Sequence, residues 1–150
     1  MIWIYQVDAL RVANLFNCNN MNQICTTKEQ SSRLLKAGVR PDTADMYLDE
    51  FEFPVAFEYG RVEKHVDQDM AFPAWSLSKL IDMMPDQVEC EGYNYYLFML
   101  PRDKEFTIKY SAGSNLAQSY CRESLFDAIT EMIEWLIKEG HLDKKFLTDK

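Results

Sequence analysis

The chain has 150 residues, of which 47% are hydrophobic and 27% are charged, and its formal net charge is −8. This is the composition of a globular domain, so it excludes a disordered chain and a small scaffold that depends on disulfides. The sequence has no cluster of basic residues beyond Lys144 and Lys145. Binding to nucleic acid or to an anionic membrane is therefore disfavoured.

Residues 1–20 begin with an apolar stretch that Gln6, Asp8 and Arg11 interrupt. They lack the positive start and long apolar core of a signal peptide, and no segment approaches the roughly 20 apolar residues of a membrane span. We therefore expect a cytoplasmic protein. Residues 1–20 are interpreted as a loosely ordered extension or an over-called start, with Met21 as the true start.

The first helix is predicted in "CTTKEQSSRLLKAGV". A capping box fits either Thr26 with Glu29 or Thr27 with Gln30, and Gly38 has the position of a left-handed helix stop. A short helical turn is expected to restart after Pro41.

The pattern then changes to alternation. In "FEFPVAFEY" (51–59), apolar residues alternate with mostly polar ones, which predicts a half-buried strand. Because Pro54 cannot donate a backbone hydrogen bond, this strand should lie at an edge. Residues 61–71 are polar and aperiodic and are interpreted as an exposed loop.

Residues 72–85, "FPAWSLSKLIDMMP", predict a second helix. Ser76 is a favourable N-cap, and Trp75 and Leu80 have the positions of a hydrophobic staple. Pro85 ends the helix. This structural role for Trp75 is favoured over a recognition loop that would hold a ligand on its ring.

Two strands are predicted next, at residues 93–100 and 105–110, and the tight turn "PRDK" should join them as a hairpin. The first strand is apolar on both faces, which favours cover on both sides by helices or by a second subunit. Residues 116–121 are either a weak third strand or a loop.

The last helix is predicted from Ser124 to Glu139, since Ser124 caps its start, apolar residues recur at helical spacing and Gly140 follows. Residues 143–150 are interpreted as a frayed tail. We therefore predict a single α+β domain over residues 21–142, with an antiparallel sheet of about three strands packed with three or so helices. The predicted order is α-β-α-β-β-α.

The sequence contains no recognisable catalytic or metal-binding motif. Either Cys90 or Cys121 could pair with His65 or His141, but no spacing selects a pair, and no cysteines are spaced as C-x-x-C. We therefore expect the cysteines to be free thiols and expect neither cofactor nor metal. The acidic groups are more typical of helix caps or a solvated loop than of metal ligands; they are Asp42, Asp45 and Asp49, and His65, Asp67 and Asp69.

Aromatic residues give the remaining candidate site. Tyr93, Tyr95 and Tyr96, together with Trp75, could line a pocket or an interface, because Tyr and Trp are enriched where proteins bind. The alternative, a sheet face packed under helices, is favoured.

Three phrases carry a resemblance to a known group of proteins. They are "CTTKEQSSRLLKAGVRPDTADM" (25–46), "PAWSLSKLIDMMP" (73–85) and "DAITEMIEWLIKEGHL" (127–142). They resemble small uncharacterised proteins of gut bacteria and their phage-like mobile elements. The resemblance implies no activity and no functional residue.

The function expected from these observations is that of a non-enzymatic accessory protein that binds another macromolecule, most simply a protein. Two alternatives stay open. One is a small-molecule binder or enzyme with a site between Trp75 and the strand that carries Tyr93–Tyr96. The other is a structural homodimer that closes over the second apolar face of the sheet.

Overall fold

Three α-helices and two antiparallel sheets form the part of the chain that the computed structural model describes, residues 23–56 and 71–149. The α+β class is confirmed, but the expected single sheet and the order α-β-α-β-β-α are not. The helices are α1 (Lys28–Ala37), α2 (Leu77–Met83) and α3 (Leu125–Lys138). The strands are β1 (Met46–Leu48), β2 (Pro54–Ala56), β3 (Phe72–Ala74), β4 (Gln87–Cys90), β5 (Tyr93–Pro101), β6 (Phe106–Ala112) and β7 (Asn115–Arg122).

Local signals set the ends of α1. Of the two predicted capping boxes, the structure has the one formed by Thr27 and Gln30: the Thr27 side chain accepts from the Gln30 backbone, and the Gln30 side chain accepts from the Thr27 backbone. Gly38 ends the helix with a φ of 112°, a left-handed conformation that favours glycine. Val39 then folds back, and its N–H donates to the Leu34 carbonyl at 3.0 Å.

The helical turn predicted after Pro41 is shorter than expected. Only Pro41–Thr43 forms a 3₁₀ turn, and the chain then extends into β1. β1 pairs with β2 on one side and β3 on the other, which gives a three-stranded sheet in the order β2-β1-β3. β1 and β3 have three residues each, too few for alternation to reveal them, so their pairing rather than a local pattern defines them as strands.

Pro54 lies in β2, at the edge of that sheet, as its missing N–H requires. The strand predicted over residues 51–59 is only partly found. Phe51 and Phe53 lie before β2 in the connection from β1 and are 72% and 66% exposed. The predictions for residues 1–20 and 57–59 lie outside the described residues. Of the loop interpreted at residues 61–71, only residue 71 is described, and it lies outside regular structure just before β3.

The predicted signals at the start of α2 are confirmed. The Ser76 side chain accepts a hydrogen bond from the Lys79 backbone N–H at 3.2 Å. Trp75 and Leu80, the staple pair, are both fully buried in the same core.

The second sheet has four strands in the order β4-β5-β6-β7, and each strand is antiparallel to its neighbour. The predicted hairpin is confirmed as β5 and β6. The weak third strand, predicted at residues 116–121 as an alternative to a loop, is β7. β4 was not predicted from the sequence. Helix α3, which the sequence predicted between Ser124 and Gly140, packs on β6, β7 and α1.

The main core lies between the helices and the inner face of the four-stranded sheet. Ile108 and Tyr110 from β6, and Ile129, Met132 and Ile133 from α3, are fully buried there. A smaller cluster under the three-stranded sheet contains Cys25, Met46, Leu48 and Ala74.

The frayed tail expected from residue 143 is not observed as far as residue 149. Lys144–Phe146 forms a 3₁₀ turn, Phe146 is buried in the main core, and Leu147 bridges to Val39. Burial of the Phe146 ring offsets the entropy lost on ordering this segment.

Candidate functional site

The two faces of β5 have different surroundings. Tyr95, Leu97 and Met99 pack against the main core. On the other face, Tyr96, Phe98 and Leu100 are 49%, 36% and 37% exposed. The apolar character that the sequence showed on both faces is real, but no described helix or strand supplies the expected second cover.

Strand register extends this outer face across the sheet. Tyr96 pairs with Ser111, which pairs with Leu116 on β7, and Leu116 is 56% exposed. Paired residues of neighbouring strands project to the same side of a sheet. We use the name open face for this surface, defined by Tyr96, Phe98, Leu100, Lys109 and Leu116.

Lys109 is the one charged residue among the five that define the open face. It pairs with Phe98 on β5 and Ser119 on β7, and its Nζ lies 5.7 Å from the centroid of the Phe98 ring. This distance is in the range of a cation–π contact. Among the described residues, no carboxylate forms a salt bridge with Lys109.

The structure does not bring Trp75 and the three tyrosines to one surface. Trp75 has no exposed area; its Nε1–H donates to Thr43 Oγ1 at 3.1 Å, and its backbone N–H donates to Thr26 Oγ1 at 3.0 Å. Tyr95 is partly buried on the inner side of the sheet. Tyr96 belongs to the open face, and Tyr93 is 63% exposed at the start of β5.

A cysteine–histidine pair is present that sequence spacing could not select. Cys90 Sγ lies 3.4 Å from His141 Nε2, and the His141 ring lies against Trp135 with ring centroids 5.5 Å apart. Burial, and next the carboxylate of Glu139, raise the pKa of the Cys90 thiol. The thiolate is the nucleophilic form, and a raised pKa leaves less of it at neutral pH, whereas an activated catalytic cysteine has a lowered pKa.

The three acidic residues predicted to act as caps have separate structural partners. Asp42 pairs with Arg40, Asp45 Oδ1 accepts from the Ser76 backbone N–H at 2.8 Å, and Asp49 Oδ1 accepts from two backbone N–H groups of the β1–β2 connection. The part of the chain that the structure describes contains no group of three His, Cys, Asp or Glu side chains arranged to hold a metal ion. His65, Asp67 and Asp69 lie outside it.

The described residues also show the state of three cysteines and the length and apolar character of the helices. Cys25, Cys90 and Cys121 are free thiols. None of the helices found in residues 23–56 and 71–149 has the length and apolar character needed to cross a membrane.

Comparison of the chain with protein-family models, with curated protein sequences and with solved structures finds no match.

Proposed function

We propose that this protein is a small accessory protein of a phage-like or mobile element and that it binds another protein through the open face. The accessory role rests on the resemblance of the three sequence phrases alone. The mode of action rests on one structural observation, the exposed apolar residues on the outer side of the four-stranded sheet.

Several features of the open face support protein binding. Tyr96, Phe98 and Leu100 occupy alternate positions along β5, and Leu116 lies in the same cross-strand row as Tyr96. An exposed apolar cluster with polar neighbours is typical of a protein interaction surface, and aromatic side chains are enriched in such surfaces. The surface is built on a central strand whose inner face packs on the core, so little ordering should accompany binding.

The small-molecule alternative has less structural support. Its site required Trp75 and the tyrosines of β5 to line one pocket, and Trp75 has no exposed surface. Binding to the Trp75 ring would require opening the core around it.

The proposal is tested by capture with three tagged, full-length baits from cells that make the protein, read by mass spectrometry. The baits are the wild type, a face variant with Tyr96→Thr and Phe98→Thr, and a control with Phe51→Thr and Phe53→Thr. Threonine suits a strand, so the face variant should keep the sheet. The control removes the same number of exposed aromatic rings outside the open face.

We expect one protein to be captured in stoichiometric amount by the wild type and the control and to be lost from the face variant. Thermal melting of the three baits establishes that all are folded. Retention of the same protein by the face variant, or recovery of none by any folded bait, would contradict the proposal.

A further inference from the structure

We propose that the protein bound at the open face is a different protein, not a second copy, and that it places an Asp or Glu carboxylate, flanked by apolar side chains, against Lys109. This inference rests on the proposed function and names the chemistry of the partner at the same site.

Lys109 has a central position on the four-stranded sheet. β6 is an inner strand of the order β4-β5-β6-β7, and so is β5, over which the Lys109 ammonium is directed. The ammonium therefore lies between the two edges of the sheet, above the Phe98 ring. A partner that covers Phe98 must also remove water from Lys109.

Removal of water from the Lys109 ammonium costs free energy. A buried charge without a partner is strongly unfavourable, whereas a charge that meets an opposite charge with good geometry is tolerated. No carboxylate of residues 23–56 and 71–149 forms a salt bridge with Lys109, so in the proposed complex the partner supplies one. The neighbours Tyr96, Phe98 and Leu100 require that this carboxylate be set among apolar groups.

Charge also disfavours a second copy. Two copies that stack by a two-fold axis use the same patch on both molecules. Lys109 lies in the middle row of the open face, between the Tyr96 and Leu100 rows, so a two-fold axis through the centre of this face would bring the two ammonium groups close together. Like charges that face each other in an interface oppose its formation.

The test uses a random-peptide phage library, selected on the immobilised full-length protein. The affinities of the selected peptides are then measured for the wild type, for Lys109→Met, for the Tyr96→Thr/Phe98→Thr face variant, and for Lys36→Met. Lys36 is an exposed lysine on α1 and serves as the matched control.

We expect the peptides that require Tyr96 and Phe98 to contain Asp or Glu beside apolar residues. Lys109→Met should lower the affinity of these peptides about tenfold, and Lys36→Met should leave their affinity unchanged. Selection repeated on the Lys109→Glu variant should enrich Lys or Arg at the peptide position where peptides selected on the wild type have Asp or Glu.

Three results would overturn the inference, and they differ in what they imply for the proposed function. Peptides that need Tyr96 and Phe98 but are indifferent to Lys109→Met would refute the inference and leave the proposed function standing. A dimer in light scattering that the face variant abolishes would show that the occupant is a second copy. If no selected peptide depends on Tyr96 and Phe98, the proposed function fails and the inference fails with it.

Discussion

At the scale of single residues, Trp75 joins several parts of the fold. Its ring is fully buried, its Nε1–H reaches Thr43 in the 3₁₀ turn, and its backbone carbonyl accepts from the Thr26 N–H at 2.9 Å. Together with the backbone N–H, which donates to Thr26 Oγ1, all three polar groups of Trp75 have a protein partner. The residue therefore acts as a structural anchor between the segment before α1, the 3₁₀ turn and the start of α2.

Trp75→Ala should lower the free energy of unfolding by about 3–5 kcal/mol, because it leaves a large cavity in the core. Phe51→Ala, at a ring that is 72% exposed, should change it by less than about 0.5 kcal/mol. Urea denaturation of both variants provides the measurement. Equal, small effects would show that the Trp75 ring is not packed as the structure has it.

Tyr110 makes stability depend on pH in the alkaline range. Its hydroxyl donates to the Pro85 carbonyl at 2.6 Å, and burial, followed by the nearby Asp86, raises the pKa of its phenol. An acid whose pKa is raised by folding stabilises the fold below its unfolded pKa, which is about 10 for tyrosine. That contribution is lost as the pH rises above about 10, since the unfolded state ionises first.

We therefore expect Tyr110→Phe to destabilise the protein by about 1–2 kcal/mol at pH 7, where the Pro85 carbonyl loses its donor. The difference in free energy of unfolding between wild type and variant should become smaller as the pH rises above about 10. Denaturation curves at pH 7 and across the alkaline range check this, and the comparison of the two proteins cancels the other titrating groups. A gap that is constant with pH would be evidence against burial of the phenol.

At the scale of elements, Gln30 links the starts of two helices. Its side-chain oxygen accepts from the Thr27 N–H in the α1 capping box, and its side-chain nitrogen donates to Asp127 in the first turn of α3. Gln30 is 5% exposed, and both bonds are partly buried. The same helices are also joined by Arg33 and Glu134, whose side chains are 35% and 33% exposed.

The two links should differ in strength. Gln30→Met keeps the side-chain length but removes the acceptor of the Thr27 backbone N–H and the donor to Asp127 Oδ1, which should cost about 1–3 kcal/mol. Arg33→Met removes a partly exposed ion pair and should cost only about 0.2–1 kcal/mol. Thermal denaturation of the two variants decides the order, and an equal or larger cost for Arg33→Met would contradict it.

The sequence predicted the elements that are long or carry their own end signals. Helices α1 and α3 have caps, helical periodicity and glycine stops, and strand β6 has clean alternation. It missed β1, β3 and β4, because strands of three or four residues acquire their identity from pairing with distant segments.

The candidate site was predictable only in part. The apolar character of both faces of residues 93–100 was visible, but whether the outer face is covered depends on tertiary packing. Cys90 and His141 lie 51 positions apart, and no local pattern links them. The suspicion that Tyr96 belongs to a binding surface stays a prediction, now placed on the open face.

At the scale of the whole molecule, the four-stranded sheet has helices on one side and the open face on the other. On that outer side the Tyr96 and Phe98 side chains are 49% and 36% exposed, so they contribute less to the core than buried rings do. The Tyr96→Thr/Phe98→Thr variant should therefore lose at most about 1–2 kcal/mol of stability, the range expected for two cross-strand pairs. Urea denaturation provides the measurement, and a loss comparable with that of Trp75→Ala would mean that the outer rings belong to the core.

Contact between the open face and another protein can be detected by site-specific photo-crosslinking in cells. A photoreactive phenylalanine analogue replaces Phe98 in one version of the full-length protein and Phe51 in the control version. We predict a single crosslinked product of defined mass from position 98 and none from position 51. Crosslinking from position 51 alone, or no product from position 98 in the folded protein, would show that the open face does not bind another protein.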